Sequence, residues 1–159
     1  MLKIIKSVLV ALVAVTATLS ATTASQAVGT GQEGCTPGYW KTHTDSWQEA
    51  APGDLFSSLY TSARANVANK TLLEALDGGG GPGADGAALI LARAATAAWL
   101  NAAHDGVGYP WRRVGPGEDG RPGLVSTVNA AFESGDRATM LALAAWLDAD
   151  NNLAECPLN

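Results

Sequence analysis

The side chains of this sequence that could carry chemistry are few. There are two cysteines, Cys35 and Cys156, and two histidines, His43 and His104. Two imidazoles from distant segments could hold zinc if folding added a carboxylate, but alone they form no zinc motif. Asp148, Asp150 and Asn152 stand at positions 1, 3 and 5 of a calcium-loop pattern, with Glu155 close behind. The pattern then breaks, because Leu153 occupies the place of the turn glycine and Asn159 that of the bidentate glutamate. These residues are therefore weak calcium candidates, and a helix end followed by a turn into Cys156 is the simpler expectation.

Gly78, Gly80 and Gly83 match a dinucleotide-binding spacing, and Asp105 follows Gly83 by 22 residues. The residues before them, Thr71 to Leu76, read as helix rather than strand, so a flexible hinge is expected instead. No nucleophile elbow, zinc-protease helix or phosphate loop occurs. Carboxylates are abundant, 15 in all, and a pair of them with His43 could form a hydrolytic site only through folding. No cofactor is expected.

Aromatic residues offer the remaining candidates. Tyr109 and Trp111 sit in a Gly/Pro-rich connection beside Arg112 and Arg113. A loop aromatic flanked by arginines can contact an anionic polymer or a partner protein, so these four form the candidate recognition surface. The alternative is that Trp111 folds back as a lid over the helices. Trp99 and Trp146 are expected in the core, and the five tryptophans are expected to meet in one centre.

These groups need a scaffold, and the first 27 of the 159 residues are not part of it. Lys3 and Lys6 precede an apolar run at 8–19, and small residues lead to Ser25-Gln26-Ala27. That layout is a secretory signal peptide, cut after Ala27 or Ala24. The run is too short for a bilayer-spanning helix. The C-terminus, Cys156-Pro157-Leu158-Asn159, offers no anchoring tail, so a released or noncovalently held product is expected. Losing Lys3 and Lys6 takes the net charge from −5 to −7, which argues against a nucleic-acid partner. In an exported chain Cys35 and Cys156 are expected to pair, with free thiols or metal ligation as the alternative.

Residues 28–34 read as a short flexible leader and 35–159 as a single helical domain. Thr36 followed by Pro37 signals a helix start, after which Trp40, His43 and Trp47 would share one face until Ala51-Pro52-Gly53. Further helices are expected over 54–76, 85–104 (capped by Asp85), 122–133 and 136–149, the third of the five being central and buried. The predicted fold is all-α, a compact bundle of about five helices. After residue 27 it contains 24 alanines and 18 glycines, so helices can approach closely and a few large side chains must fill the gaps.

Cys35-Thr36-Pro37-Gly38-Tyr39-Trp40-Lys41-Thr42-His43 resembles the opening of a family of small exported bacterial and archaeal domains. Arg93 to Ala102, Val107-Gly108-Tyr109-Pro110, Asn151-Asn152 and Cys156-Pro157-Leu158 extend the resemblance over the rest of the domain. It implies export and a domain type without a known activity. Relatives often carry a histidine after the arginine, where this chain has Ala94, which removes one potential metal ligand.

Two functional readings follow. The first is a noncatalytic exported domain that binds a cell-envelope polymer or surface protein. The second is a small secreted hydrolase using carboxylates and His43.

Overall fold

The computed structural model describes residues 31–111 and 120–159. The expected signal peptide over residues 1–27, residues 28–30 of the expected leader, and Arg112 and Arg113 lie outside the described residues. Helices dominate in this order: α1 (Pro37–Thr42), a 3-10 turn (Thr44–Ser46), α2 (Phe56–Leu59), α3 (Ala65–Ala68), α4 (Leu72–Leu76), α5 (Gly83–Ala103), α6 (Gly120–Ser134) and α7 (Arg137–Asn151). Among the described residues the only β feature is one isolated bridge, Leu55 to Thr71. The fold is all-α, with seven α-helices in this part of the chain rather than about five.

The Thr36-Pro37 signal works as expected: the Thr36 hydroxyl accepts the Tyr39 N–H at 3.1 Å and starts α1. The helix is shorter than its apolar spacing implies. It stops at Thr42, and the Trp47 indole folds back to donate to the Trp40 carbonyl at 2.9 Å. The predicted 54–76 helix is also divided. Thr71 and Glu74 form a reciprocal capping box that starts α4 afresh. Just ahead of it, Phe56 N–H bonds Lys70 O and Leu72 N–H bonds Asp54 O, so two segments pair their backbones across a turn. Local caps and cross-chain bonds outcompete continuous helix here.

The central helix is α5, with α7 lying most extensively against it. Its buried positions include Ala87, Ala88, Ala92, Ala94, Ala95, Ala98 and Ala102, so the surrounding helices approach it over a surface rich in methyl groups. It is long and apolar enough to cross a membrane by composition, but 83% of its most apolar window is buried within the protein. That burial is the signature of a core helix.

Its start differs from expectation. Pro82, not Asp85, occupies the cap, and Asp85 instead accepts two hydrogen bonds from Arg64 at 3.0 and 2.8 Å. The glycine run is not an open hinge. Arg137 donates to the carbonyls of Gly81 and Gly83, and a Cβ on Gly86 would lie 2.1 Å from Gly81 O. Gly86 thus lets the loop fold onto the first turn of α5.

Helices α6 and α7 form a hairpin around Gly135, and Asp136 caps α7 by accepting the Thr139 N–H and hydroxyl at 2.7 and 2.8 Å. Cys35 and Cys156 form the expected disulfide. With 121 residues of separation, it restricts the unfolded chain by roughly 4–5 kcal/mol through loop closure. The ordered domain begins before Cys35. Glu33 N–H bonds Gly108 O and Gly34 N–H bonds Leu153 O, so the end of the leader is docked rather than flexible.

The large core side chains include Trp40, Phe56, Tyr60, Leu91, Leu100, Tyr109, Met140 and Leu147. The tryptophans do not meet in one centre. Trp40 and Trp99 are buried, Trp47 and Trp111 are partly covered, and Trp146 is 55% exposed. The reason is angular. On α7 the inward stripe is Met140, Leu143, Ala144, Leu147 and Asn151, and Trp146 falls outside it.

Candidate functional site

A buried hydrogen-bond network holds the end of the molecule where Tyr109 and Trp111 lie. Asn101 Oδ1 accepts the Cys35 N–H at 2.8 Å and the Trp40 indole N–H at 3.1 Å. Its amide nitrogen donates to Cys35 O at 2.9 Å and Asn151 Oδ1 at 3.0 Å. Asn151 Oδ1 also accepts the Tyr109 hydroxyl at 2.7 Å, and Asn151 Nδ2 donates to the Ala94 carbonyl. Both asparagines are fully buried, and no buried side-chain polar atom is left unpartnered among the described residues. This network joins α1, α5, the 107–111 segment and α7. Its one signal in the sequence is an asparagine in the last turn of an alanine-rich helix.

Tyr109 is therefore a packing residue and not part of a recognition surface. Only 2% of it is exposed, and burial pushes its phenol well above the ordinary tyrosine range, with the Asp150 charge adding to the effect. Two residues later the chain reaches the surface. Trp111 donates its indole N–H to Asp150 Oδ2 at 3.0 Å. Its ring meets Trp146 edge-on, with centroids 5.2 Å apart and planes at 61°. Trp111 thus does cover part of the helices, as a lid would, while its ring meets the exposed Trp146. Trp146, expected in the core, is instead 55% exposed.

A shallow groove of about 570 Å³ lies between α6 and α7, lined by Ser126, Thr127, Ala130, Ala131, Thr139 and Leu143. Thr139, Leu143, Trp146 and Asp150 recur at the i, i+4, i+7 and i+11 spacing of one helical face. The groove and the tryptophan pair therefore share one side of α7.

The remaining candidates do not assemble. His43 is exposed, stacks on Tyr39 with centroids 4.1 Å apart, and its Nδ1 lies 2.9 Å from Tyr39 O. In the Nδ1–H tautomer it donates to that carbonyl. Among the described residues no carboxylate hydrogen-bonds His43, so the hydrolytic arrangement is not built around it. His104 ends α5, where its Nδ1 accepts the Gly106 N–H at 2.9 Å and its ring lies 5.8 Å from that of Trp40. Each imidazole uses Nδ1 locally. No group of three or more His, Cys, Asp or Glu among the described residues is placed to hold a metal.

The calcium pattern fails for a geometric reason. Asp148 and Asp150 are still helical, and a two-residue step on a helix turns side chains about 200° apart. In a loop the same spacing would converge. Here Asp150 serves Trp111, while the Asn152 amide donates to the Asp148 carbonyl at 2.6 Å.

Comparison with known proteins finds no matching family model, no matching curated protein and no matching solved structure.

Proposed function

We propose that this protein is an exported, noncatalytic domain that binds a cell-envelope polymer along the α6–α7 face. The observation that carries this reading is Trp146. An indole 55% exposed adds little to the core, yet it is paired with a second tryptophan whose orientation is held by Asp150. Exposed aromatic area rimmed by polar groups is characteristic of binding surfaces. The exposed Trp146 indole offers ring area on which a sugar can stack. The adjoining groove continues along the helices, which suits an extended chain better than a compact molecule. With Asp150 at the pair and a net negative chain, an uncharged polymer is favoured over an anionic one.

Export rests on the basic, apolar and small-residue succession of the first 27 residues and on the resemblance of the 35–43 motif to exported domains. The Cys35–Cys156 disulfide fits an oxidising compartment. Binding is tested with purified envelope polysaccharide and the disulfide-bonded protein, following tryptophan fluorescence. Trp146→Ala should weaken binding at least about tenfold, a loss typical of a central aromatic anchor, while leaving the melting temperature within about 2 °C. Unchanged affinity in that variant overturns the assignment of the face. Retention by envelope protein alone overturns the polymer reading, and turnover of the polymer overturns the noncatalytic one.

A further inference from the structure

On the other flank of α7 lies a second concavity, independent of the tryptophan face. It has a volume of about 320 Å³, at the lower end of small-molecule sites. Ile90 and Ala94 of α5, with Leu141 and Ala144 of α7, give it an apolar lining, and Arg93 and Asp148 bring opposite charges to it. Ala145 and Asp148 sit on α7 away from the stripe that carries Trp146 and Asp150.

Among the described residues the ion pairs are Lys41–Asp77 and Arg64–Asp85, and neither Arg93 nor Asp148 takes part in one. Neither side chain makes a hydrogen bond among the described residues. The Arg93 stem runs close beside Gly78. A Cβ on Gly78, which has φ +76°, would lie 2.8 Å from Arg93 Cδ, so the arginine stem crosses the glycine backbone at close range. The glycine run therefore makes room for the arginine beside the cleft.

We propose that this cleft binds a free α-amino acid with an apolar side chain. Arg93 would take the carboxylate, Asp148 the ammonium group, and the Ile90–Leu141 lining the side chain. The pair of charges selects the class. A simple fatty acid would meet the Asp148 carboxylate, and a simple amine would meet the Arg93 guanidinium, whereas a zwitterion satisfies both. Exposed ion pairs are individually weak, so binding is expected at high micromolar to millimolar concentrations.

The test is an NMR titration of the isotope-labelled, disulfide-bonded protein with L-leucine up to about 10 mM, the range that weak exposed pairs require. Amide shifts should move at Arg93, Ala145 and Asp148 but not at Trp146. Arg93→Gln and Asp148→Asn should each weaken binding at least about fivefold, and leucinamide and 4-methylpentanoate, each lacking one charge, should lose as much. Ala145→Trp, on an exposed position, should block the cleft while circular dichroism stays unchanged. Absence of shifts at the highest concentration overturns the site. Equal binding of 4-methylpentanoate overturns the ligand class.

Discussion

Asn101→Leu replaces a buried amide by an apolar side chain of similar size, and the structure shows what that leaves behind. The Cys35 N–H, the Cys35 carbonyl and the Trp40 indole N–H all lose the partner shown for them, in a region closed to water. Asn151 Oδ1 keeps the Tyr109 hydroxyl and is not orphaned. An unsatisfied buried polar group costs about 1–3 kcal/mol, and three of them, partly relieved by relaxation and by the added apolar contact, amount to roughly 3–5 kcal/mol. That is a large part of the 5–15 kcal/mol typical of a domain. Guanidinium unfolding without reductant, followed by tryptophan fluorescence, should show a lower midpoint with an unchanged slope. The melting temperature should fall by at least about 10 °C. Asn151→Leu should lose less, since its main orphan is the Tyr109 hydroxyl. The double variant should be less than additive, because the bond between the two amides can be lost only once. A loss below about 1 kcal/mol for Asn101→Leu would refute the view that this network holds α1 and the 107–111 segment to the central helix.

Gly86→Ala tests the loop packing. At an ordinary helical glycine alanine stabilises by about 1 kcal/mol, but here the Cβ would meet Gly81 O at 2.1 Å, so thermal unfolding should show destabilisation of about 1–3 kcal/mol. A rise in melting temperature would mean that the loop yields freely. Asp136 tests pH dependence. The Thr139 N–H and then its hydroxyl hold the Asp136 carboxyl below its ordinary value. Its contribution is therefore present above the unfolded-state pKa of about 4 and lost as pH falls through the lower folded-state value. Asp136→Asn keeps a cap but cannot titrate, so it should flatten the acid limb of a stability–pH curve. An unchanged limb would place the acid sensitivity elsewhere.

Much of the helical framework was legible because its signals are local. Thr36-Pro37 starts α1, an alanine-rich run forms α5, and Asp136 starts α7. Even the capping box at Thr71 and Glu74 is written within four residues, though the apolar spacing of 54–76 concealed the break it makes. The two ends of the chain could be joined on chemistry alone, since the domain has no other cysteines. The candidate site was legible only in part. Trp111 lies partly covered against the helices, Tyr109 two residues earlier is buried, and Arg112 and Arg113 lie outside the described residues.

The composition and caps of this sequence determined an all-α domain closed by one disulfide, because a helix start or an apolar stripe depends on residues a turn apart. Tertiary structure alone decided what the stripes face. It turned Trp146 outward to meet Trp111, set Asn101 against Asn151, and brought Arg93 and Asp148 to one cleft. In each case the partners are separated by 35 or more positions along the chain, so periodicity within either segment carries no record of the other. The register and rotation of α7 on α5 decide all three, and they follow from how the whole core fills.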